Sequence, residues 1–562
     1  MAGQSELTYQ MRYIYKDKSG KSAKLPKQSV IKDSTLLTDE VQSTVDQIHE
    51  AGFLLASVDS ISLKSRQALV YFSLGERYHW IHLSVDALPK SLRGKVDLKL
   101  NSYHHKPVSL RAFAQLKERI LAYAENVGYP FAKIGLQDIS MDSVNLSAKL
   151  IYESGPLITF DSLMVSGDVK VKNRFLLNYL KFKSGEVFNQ QKIDRIPKGL
   201  LSLAFLRLKG APVVSFQYDK AFVQLHFEKQ KANKIDGLIG FTTKGTQNRK
   251  LQLTGQFLLE LNNLFASGKK LFINWQQFKS QSQSLSITYN HPSLLNTPLD
   301  VGFHFSLFKE DSSFQNIRRK LSIGHRTSAA GTISFNSELL TSTRLRRDTV
   351  DVAPLDSLHF MDSRYLNYGV SYELNHVDDQ GMPRKGFTLG LAGMVGNKKI
   401  LVDPNQYSVE QKNLKSVQFA LESFFQSYYP LGRYSVLMAS IKSGKLFGKQ
   451  LYLNDFFRLG GLKTIRGFNE NLFFASGYVI GSLEERFYFA NQSMFFLFLD
   501  WAYITQKYQV YKTTDYPFGF GSGISFETKN GVFSFVYALG KSKQQALDFK
   551  TSKVHIGYTS RF

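Results

Sequence analysis

Residues equipped for chemistry are sparse in this chain, and their spacing is the first guide to what it does. None of the 562 residues is cysteine, which excludes disulfides, thiolate metal sites and cysteine nucleophiles. The 12 histidines show no ligand spacing, and the adjacent pair His104-His105 lies in a loop pattern with little support for metal binding. No Gly-X-Ser-X-Gly elbow, phosphate loop or paired-carboxylate site is present. Gly519, Gly521 and Gly523 mimic a glycine-rich loop, but they alternate with Phe520, Ser522 and Ile524 as in a strand with one smooth face. Neither an enzyme nor a cofactor is expected. What remains is "FFRLGGLKTIRGFNENLFFASGY" at 456–478, where Gly460-Gly461, the lone Arg466, Gly467 and Phe468 sit among aromatic residues. One Arg-Gly-Phe triplet is weak by itself. The elements around it must decide.

Composition narrows those elements. The net charge of +25 comes from 71 Lys+Arg against 46 Asp+Glu, spread singly between apolar residues and forming no basic block. Nucleic acid is therefore not an expected partner. No stretch approaches the roughly 18 uninterrupted apolar residues of a spanning helix. A membrane β-barrel stays open, because lipid-facing residues alternate with polar lumen residues and the average cancels. The opening "MAGQSELTYQ" lacks the basic and apolar regions of a signal peptide. Either the protein is not exported, or a signal has been removed and a Met added; the barrel pattern favours the second.

Two halves follow different periods. In residues 1 to about 230, "TDEVQSTVDQIHEAGF" places Val41, Val45, Ile48 and Phe53 at helical spacing, and "SLRAFAQLKERILAYAENVGY" does so with Leu110, Phe113, Leu116, Ile120 and Tyr123. Each helix leads into a strand pair, and Gly52-Phe53 recurs as Gly128-Tyr129, which marks internal copies. Three units of about 75 residues are expected: 1–86 (with one clear helix, which reads as a truncated copy), 76–165 and 156–232. From 233 to 562 the helical period vanishes and short alternating segments repeat. About 330 residues at about 20 per strand and turn would build about 16 antiparallel strands. Asn530-Gly531 marks a hairpin, and the aromatic pairs Tyr428-Tyr429 and Phe456-Phe457 suit interfacial girdles. A soluble sandwich or propeller is the alternative, and it must hide strands that are apolar on one face throughout.

Motifs then recur in order along nearly the whole chain: "YNHPSLL" at 289–295, "DDQGMPRKGF" at 378–387, "RLGGLKTIRGF" at 458–468, "GSLEERFYF" at 481–489, "FLDWAY" at 498–503, "GFGSGISFETKNGVFSFVYA" at 519–538 and the terminal Phe562. This set resembles the outer-membrane assembly and two-partner-secretion superfamily typified by BamA, TamA and FhaC. Three repeats are closest in layout to TamA. Ser560 departs from the family, which usually has an apolar residue at that outward position. The resemblance implies α+β POTRA repeats of the β-α-α-β-β kind, then a 16-stranded transmembrane barrel with an inward-folded loop at 445–480.

Alternation in "GSLEERFYF" and "FFLFLDWAY" sends Glu484, Arg486 and Asp500 into the lumen, because a charge on the lipid face near mid-membrane costs a few kcal/mol. Glu485 falls on the lipid face and is expected near an interface. The resemblance further implies that Arg466 caps the loop tip and meets Glu484 and Asp500 on the inner wall, with Gly467, Phe468, Gly460 and Gly461 shaping the tip. It implies a lateral seam between first and last strands, where Gly237, Gly240, Gly557 and Phe562 lie. The expected function is insertion of unfolded β-barrel or autotransporter clients into the bacterial outer membrane, with the repeats in the periplasm. Expected partners are those clients, the lipid bilayer and accessory periplasmic or inner-membrane proteins. A two-partner-secretion transporter or a passive porin are the alternatives.

Overall fold

A computed structural model describes residues 9–16, 25–64, 67–84, 88–90, 92, 105–201, 203–243, 251–279, 281–327, 330–345, 359–401, 415–490, 493–508, 511–529 and 531–562. His104 and Asn530 lie outside the described residues. The chain divides into two compact units, one of Met1–Ser162, Lys183–Asp194 and Val214–Val223, the other of Leu163–Phe182, Arg195–Val213 and Gln224–Phe562.

The N-terminal sequence folds as repeated α+β sheets. In the first, Tyr9–Tyr15 pairs in parallel with Gln67–Ser73, and Gln28–Ile31 and Ser57–Lys64 flank them. Helix α1 (Leu37–Glu50) buries Val41, Thr44 and Ile48. These join a core of Met11, Phe53, Val70 and Phe72. The second sheet repeats the plan, with His79–Ser84 parallel to Asn145–Glu153. Its helix α2 (Leu110–Asn126) starts where the Ser109 hydroxyl accepts a bond from the Ala112 amide, 2.9 Å, and buries Leu116, Ile120 and Ala124. Past each helix a glycine turns left-handed, Gly52 at φ 99° and Gly128 at φ 96°. Each then accepts a 2.8 Å backbone bond, from Tyr78 and Ile158 respectively. In the third sheet Lys220–Lys229 pairs with Leu206–Leu208, Val213–Gln217 and Thr159–Gly167, and the helices are α3 (Asn173–Tyr179) and α4 (Gln190–Leu200).

From Lys234 onward, among the described residues, sixteen antiparallel strands close a barrel. They are β1 (Lys234–Thr243), β2 (Leu251–Leu264), β3 (Lys269–Lys279), β4 (Ser282–His291), β5 (Leu299–Glu310), β6 (Phe314–Arg326), β7 (Gly331–Arg344) and β8 (Ser363–Val377). Then follow β9 (Gly386–Ile400), β10 (Lys415–Pro430), β11 (Ser435–Gly448), β12 (Gly477–Ala490), β13 (Ser493–Tyr508), β14 (Tyr511–Asp515 continued by Phe518–Thr528), β15 (Gly531–Lys541) and β16 (Lys553–Arg561). The break in β14 falls at Tyr516-Pro517, where proline has no N–H for the ladder. The period of two sets the two faces of the wall. On β8, Leu366, Tyr368 and Val370 are exposed outward while Tyr365 and Asn367 are buried inward. On β12 the outward residues include Leu483 and Phe487, and Ser482 and Glu484 face the lumen. No described helix is long and apolar enough to cross a membrane. The fold class is the one expected: α+β repeats, then an antiparallel sixteen-stranded barrel.

Proximal here means the barrel end where β1 begins and β16 ends, and distal the opposite end. Two expectations need correction. The segment that leaves the wall is narrower than 445–480, because the β11–β12 ladder still pairs Lys445 with Gly477. The pair Phe456-Phe457 is not a girdle: Phe456 packs on Leu446 and Leu451, and Phe457 meets Tyr478 edge-on. Inward folding of this segment removed both from any interface. Tyr429, by contrast, is 67% exposed at the proximal end of β10.

Candidate functional site

Residues 449–476 join β11 to β12 at the distal end and fold back against the inner wall. Two short strands, Phe457–Leu459 and Phe473–Ala475, pair as a hairpin that carries the tip. Three glycines with positive φ shape it: Gly460 at 111°, Gly461 at 96° and Gly467 at 92°. Gly467 has a second reason to lack a side chain. A Cβ there would stand 2.4 Å from the Leu539 carbonyl oxygen of β15. On the facing wall, a Cβ on Gly519 would stand 1.9 Å from the Arg466 carbonyl oxygen. The tip thus lies backbone-to-backbone on β14 and β15. Phe468 is fully buried and meets Phe473 edge-on at 5.0 Å, within a cluster that includes Ile465, Ile480 and Ile504.

Arg466 is aimed by this scaffold. Its Nε donates to Asp500 Oδ2 and its Nη2 to Asp500 Oδ1, both at 2.7 Å, a planar fork on one carboxylate. Its backbone N–H also donates to Asp500 Oδ2, at 2.9 Å. Nη1 donates to Glu484 Oε2, and Nη2 reaches Ser482 Oγ at 3.0 Å. Ser482 Oγ in turn donates to Asp500 Oδ1. Arg486 Nε holds the other Glu484 oxygen at 2.8 Å. The Arg466 guanidinium carbon lies 3.6 Å from the centre of the Phe498 ring. Asp500 is fully buried, and Glu484 and Arg466 nearly so. Two arginines face two carboxylates, so the cluster is neutral while desolvated. Nothing in it offers a nucleophile or an open metal position. Its chemistry is that of ion pairing and hydrogen bonding between the tip and the wall.

The rest of the segment is tied down by residues that the sequence pattern did not single out. Arg458 pairs with Glu310 of β5 and stacks on Phe474 at 3.3 Å. Asp455 pairs with Lys398 of β9, which is 1% exposed. Asn454 donates from Nδ2 to Ser342 Oγ at 2.5 Å and to the Met361 carbonyl at 2.8 Å. Arg458 stands in the same quoted stretch as Arg466. Lys398 occupies an inward position of β9, and a lumen-facing lysine in a wall needs a partner. Gly540, whose Cβ would press on Phe468 at 2.8 Å, carried no such signal.

The seam residues are brought together differently from one another. β1 and β16 pair over eight residues, from Lys234 opposite Arg561 to Phe241 opposite Val554. Gly237 faces Tyr558, Gly557 faces Leu238 and Gly240 faces His555, so Gly240 and Gly557 are not partners. Thr559 Oγ1 donates to Asp236 Oδ2 at 2.7 Å across the seam, and the Phe562 amide donates to the Asn233 carbonyl at 3.1 Å. Ser560 faces Ile235 on the outer side. Glu485 also lies on the outer face, where it accepts from the hydroxyl of Ser435, the first residue of β11, at 3.2 Å.

Comparison with known proteins now adds a family. No curated protein sequence matches the chain. CdiB from Escherichia coli superposes with a TM-score of 0.57 at 13% identity, over 94% of this chain and 98% of that one. CdiB from Acinetobacter baumannii gives 0.55 at 12%, over 95% and 100%. BamA from Haemophilus ducreyi lacking POTRA domains 1–3 gives 0.45 at 12%, over 86% and 100%. At these identities the CdiB likeness establishes the fold alone. Residues 263–562, more than half of the chain, match the Omp85 superfamily domain, and the protein is therefore a member of the Omp85 superfamily.

Proposed function

We propose that this protein is an outer-membrane insertase or assembly factor. In this proposal it receives unfolded β-barrel or autotransporter clients on its POTRA domains and inserts them through the β1–β16 seam. Omp85 proteins with sixteen-stranded barrels are bacterial outer-membrane proteins that handle protein clients. The proposed domains are POTRA-like repeats at 1–86, 76–165 and 156–232, facing the periplasm, and the barrel at 233–562. Arg466, Gly467, Phe468, Gly460 and Gly461 would form the loop latch, Glu484 and Asp500 its inner-wall partners.

The observation that carries the proposal is the make-up of the seam. Three of its eight residue pairs contain a glycine, so cross-strand side-chain contact is missing in each. The wall on the other side runs much longer, with fifteen residue pairs between β8 and β9. A short ladder with glycine in three of its pairs is a place where strands can part and expose backbone groups to a client strand by β-augmentation.

Secretion of a dedicated exoprotein through the lumen is the second reading. It is favoured by a cavity of about 1030 Å³ beside the hairpin, whose mixed lining includes Arg318, Lys320, Asn336, Glu338, Asn367 and Glu422. One pair of variants separates the two. The register makes Gly237→Cys with Tyr558→Cys, and Ile239→Cys with Ile556→Cys, direct partners in a chain that has no cysteine. In liposomes, oxidation should stop the protein from accelerating the folding of unrelated barrels, and reduction should restore it. Undiminished folding after complete cross-linking would remove the seam mechanism. Passage of one exoprotein through the cross-linked barrel would establish secretion instead, and ion conductance with neither activity a porin.

A further inference from the structure

The outer wall carries a polar feature that neither the latch nor the seam uses. Around β8 to β14, a groove of about 960 Å³ opens on the outer face. Its walls are the outward side chains Val370, Leu391, Leu421, Val479 and Tyr503. Its floor runs along one row of register partners: Val370, Gly393, Leu421, Lys445, Gly477 and Thr505. Gly393 and Gly477 keep that floor low. The size and apolar lining suit an acyl chain.

Three lysines stand at the distal end of this groove. Lys507 and Lys512 are register partners on adjacent strands, both exposed on the outer face. Like charges directly opposite each other destabilise a sheet. Lys445 joins them by lying across Gly477: its Nζ and Thr505 Oγ1 each fall 2.9 Å from where a Gly477 Cβ would be. Among the described residues no carboxylate pairs with any of the three. The exposed rings of Tyr503 and Tyr516, 5.4 Å apart, share the outer face with them. A belt of tyrosines marks the headgroup level of a bilayer. Charge repulsion, depth and the apolar groove below have a common solution.

We propose that this groove binds one anionic phospholipid, with no cationic headgroup, from the leaflet at the distal end. Its acyl chain would lie along Leu421, Val479 and Tyr503, and its phosphate on Lys445, Lys507 and Lys512. The ammonium groups of Lys507 and Lys512 would share the phosphate oxygens, which turns their repulsion into a clamp. Lys445 would close the third side. The proposal rests on the barrel spanning a membrane, not on which protein it inserts or secretes, so lipid binding and client handling can fail independently.

Native mass spectrometry of the full chain, delipidated in detergent, tests it with phosphatidylglycerol, phosphatidylcholine and inorganic phosphate as probes. One phosphatidylglycerol per chain should be retained in preference to phosphatidylcholine. Each of Lys445→Gln, Lys507→Gln and Lys512→Gln should weaken that binding by about fivefold, and the K507Q/K512Q pair by more than about tenfold. Lys507 and Lys512 are exposed and Lys445 is half-buried with its ammonium group unpaired among the described residues, so folding, read as heat-modifiable gel mobility, should not change. Gly393→Leu, which would fill the groove above Leu421, should also lower phosphatidylglycerol retention. Equal retention of both lipids, or unchanged retention in the lysine variants, would overturn the proposal. Displacement of phosphatidylglycerol by an equal concentration of inorganic phosphate would overturn it too, by showing a site for a free anion.

Discussion

At the scale of single residues, the latch is governed by desolvation. Arg466, Glu484 and Asp500 are charges out of water, and each is tolerable because the others satisfy it. Arg466→Ala leaves two buried carboxylates with one arginine, and breaking a buried pair in this way costs about 3–5 kcal/mol. The variant should lose heat-modifiable mobility at a lower temperature than the parent. Arg466→Lys keeps the charge but cannot reproduce the fork on Asp500, so it should fall between the two. If Arg466→Ala melts with the parent, the latch has no energetic role. Gly467→Ala acts on geometry and leaves charge alone. Its Cβ would collide with the Leu539 carbonyl, and φ of 92° is itself unfavourable for alanine. The tip should lift, and trypsin should cut after Lys463 or Arg466 faster than in the parent. Equal proteolysis would show that the tip tolerates the shift.

At the scale of elements, the hairpin of residues 449–476 is clamped at two places far apart in sequence. Arg466 grips β12 and β13, while Asp455 and Arg458 grip β9 and β5. Lys398 and Asp455 are both almost wholly buried, so neither can be removed alone without orphaning the other. Lys398→Met and Asp455→Leu should each destabilise, and the double variant should recover part of the loss. A double-mutant cycle on thermal midpoints should return a coupling of about 0.5–3 kcal/mol. Additive effects would mean that the pair contributes nothing beyond packing. The hairpin matters because a wall of sixteen strands leaves more space than the side chains of its inner face can fill.

At the scale of the whole molecule, the hairpin decides how open the barrel is. Replacing residues 449–476 by a short glycine-serine turn joins Gly448 to Gly477 across an existing ladder, so the wall should still close. Single-channel conductance in planar bilayers should rise several-fold over the parent. An unchanged conductance would place the constriction elsewhere. The sequence by itself determined the alternation that makes a wall, the count of sixteen strands and the helix-ending glycines Gly52 and Gly128 that mark the repeats. These follow from local periods and backbone freedom, which each segment carries within itself. Alternation also told the inner from the outer face, and so sent Glu484 and Asp500 toward the lumen. Tertiary structure alone decided which residues meet across long separations. Arg458 with Glu310 and Lys398 with Asp455 depend on how far the hairpin folds inward. The seam register, which sets Gly557 against Leu238 and not Gly240, depends on how a closed sheet staggers its ends. The lysine cluster on the outer wall arises from the registers of neighbouring strands, Lys445 with Gly477, Gly477 with Thr505 and Lys507 with Lys512. A strand's period specifies which side a residue faces; only closure of the barrel specifies its neighbours.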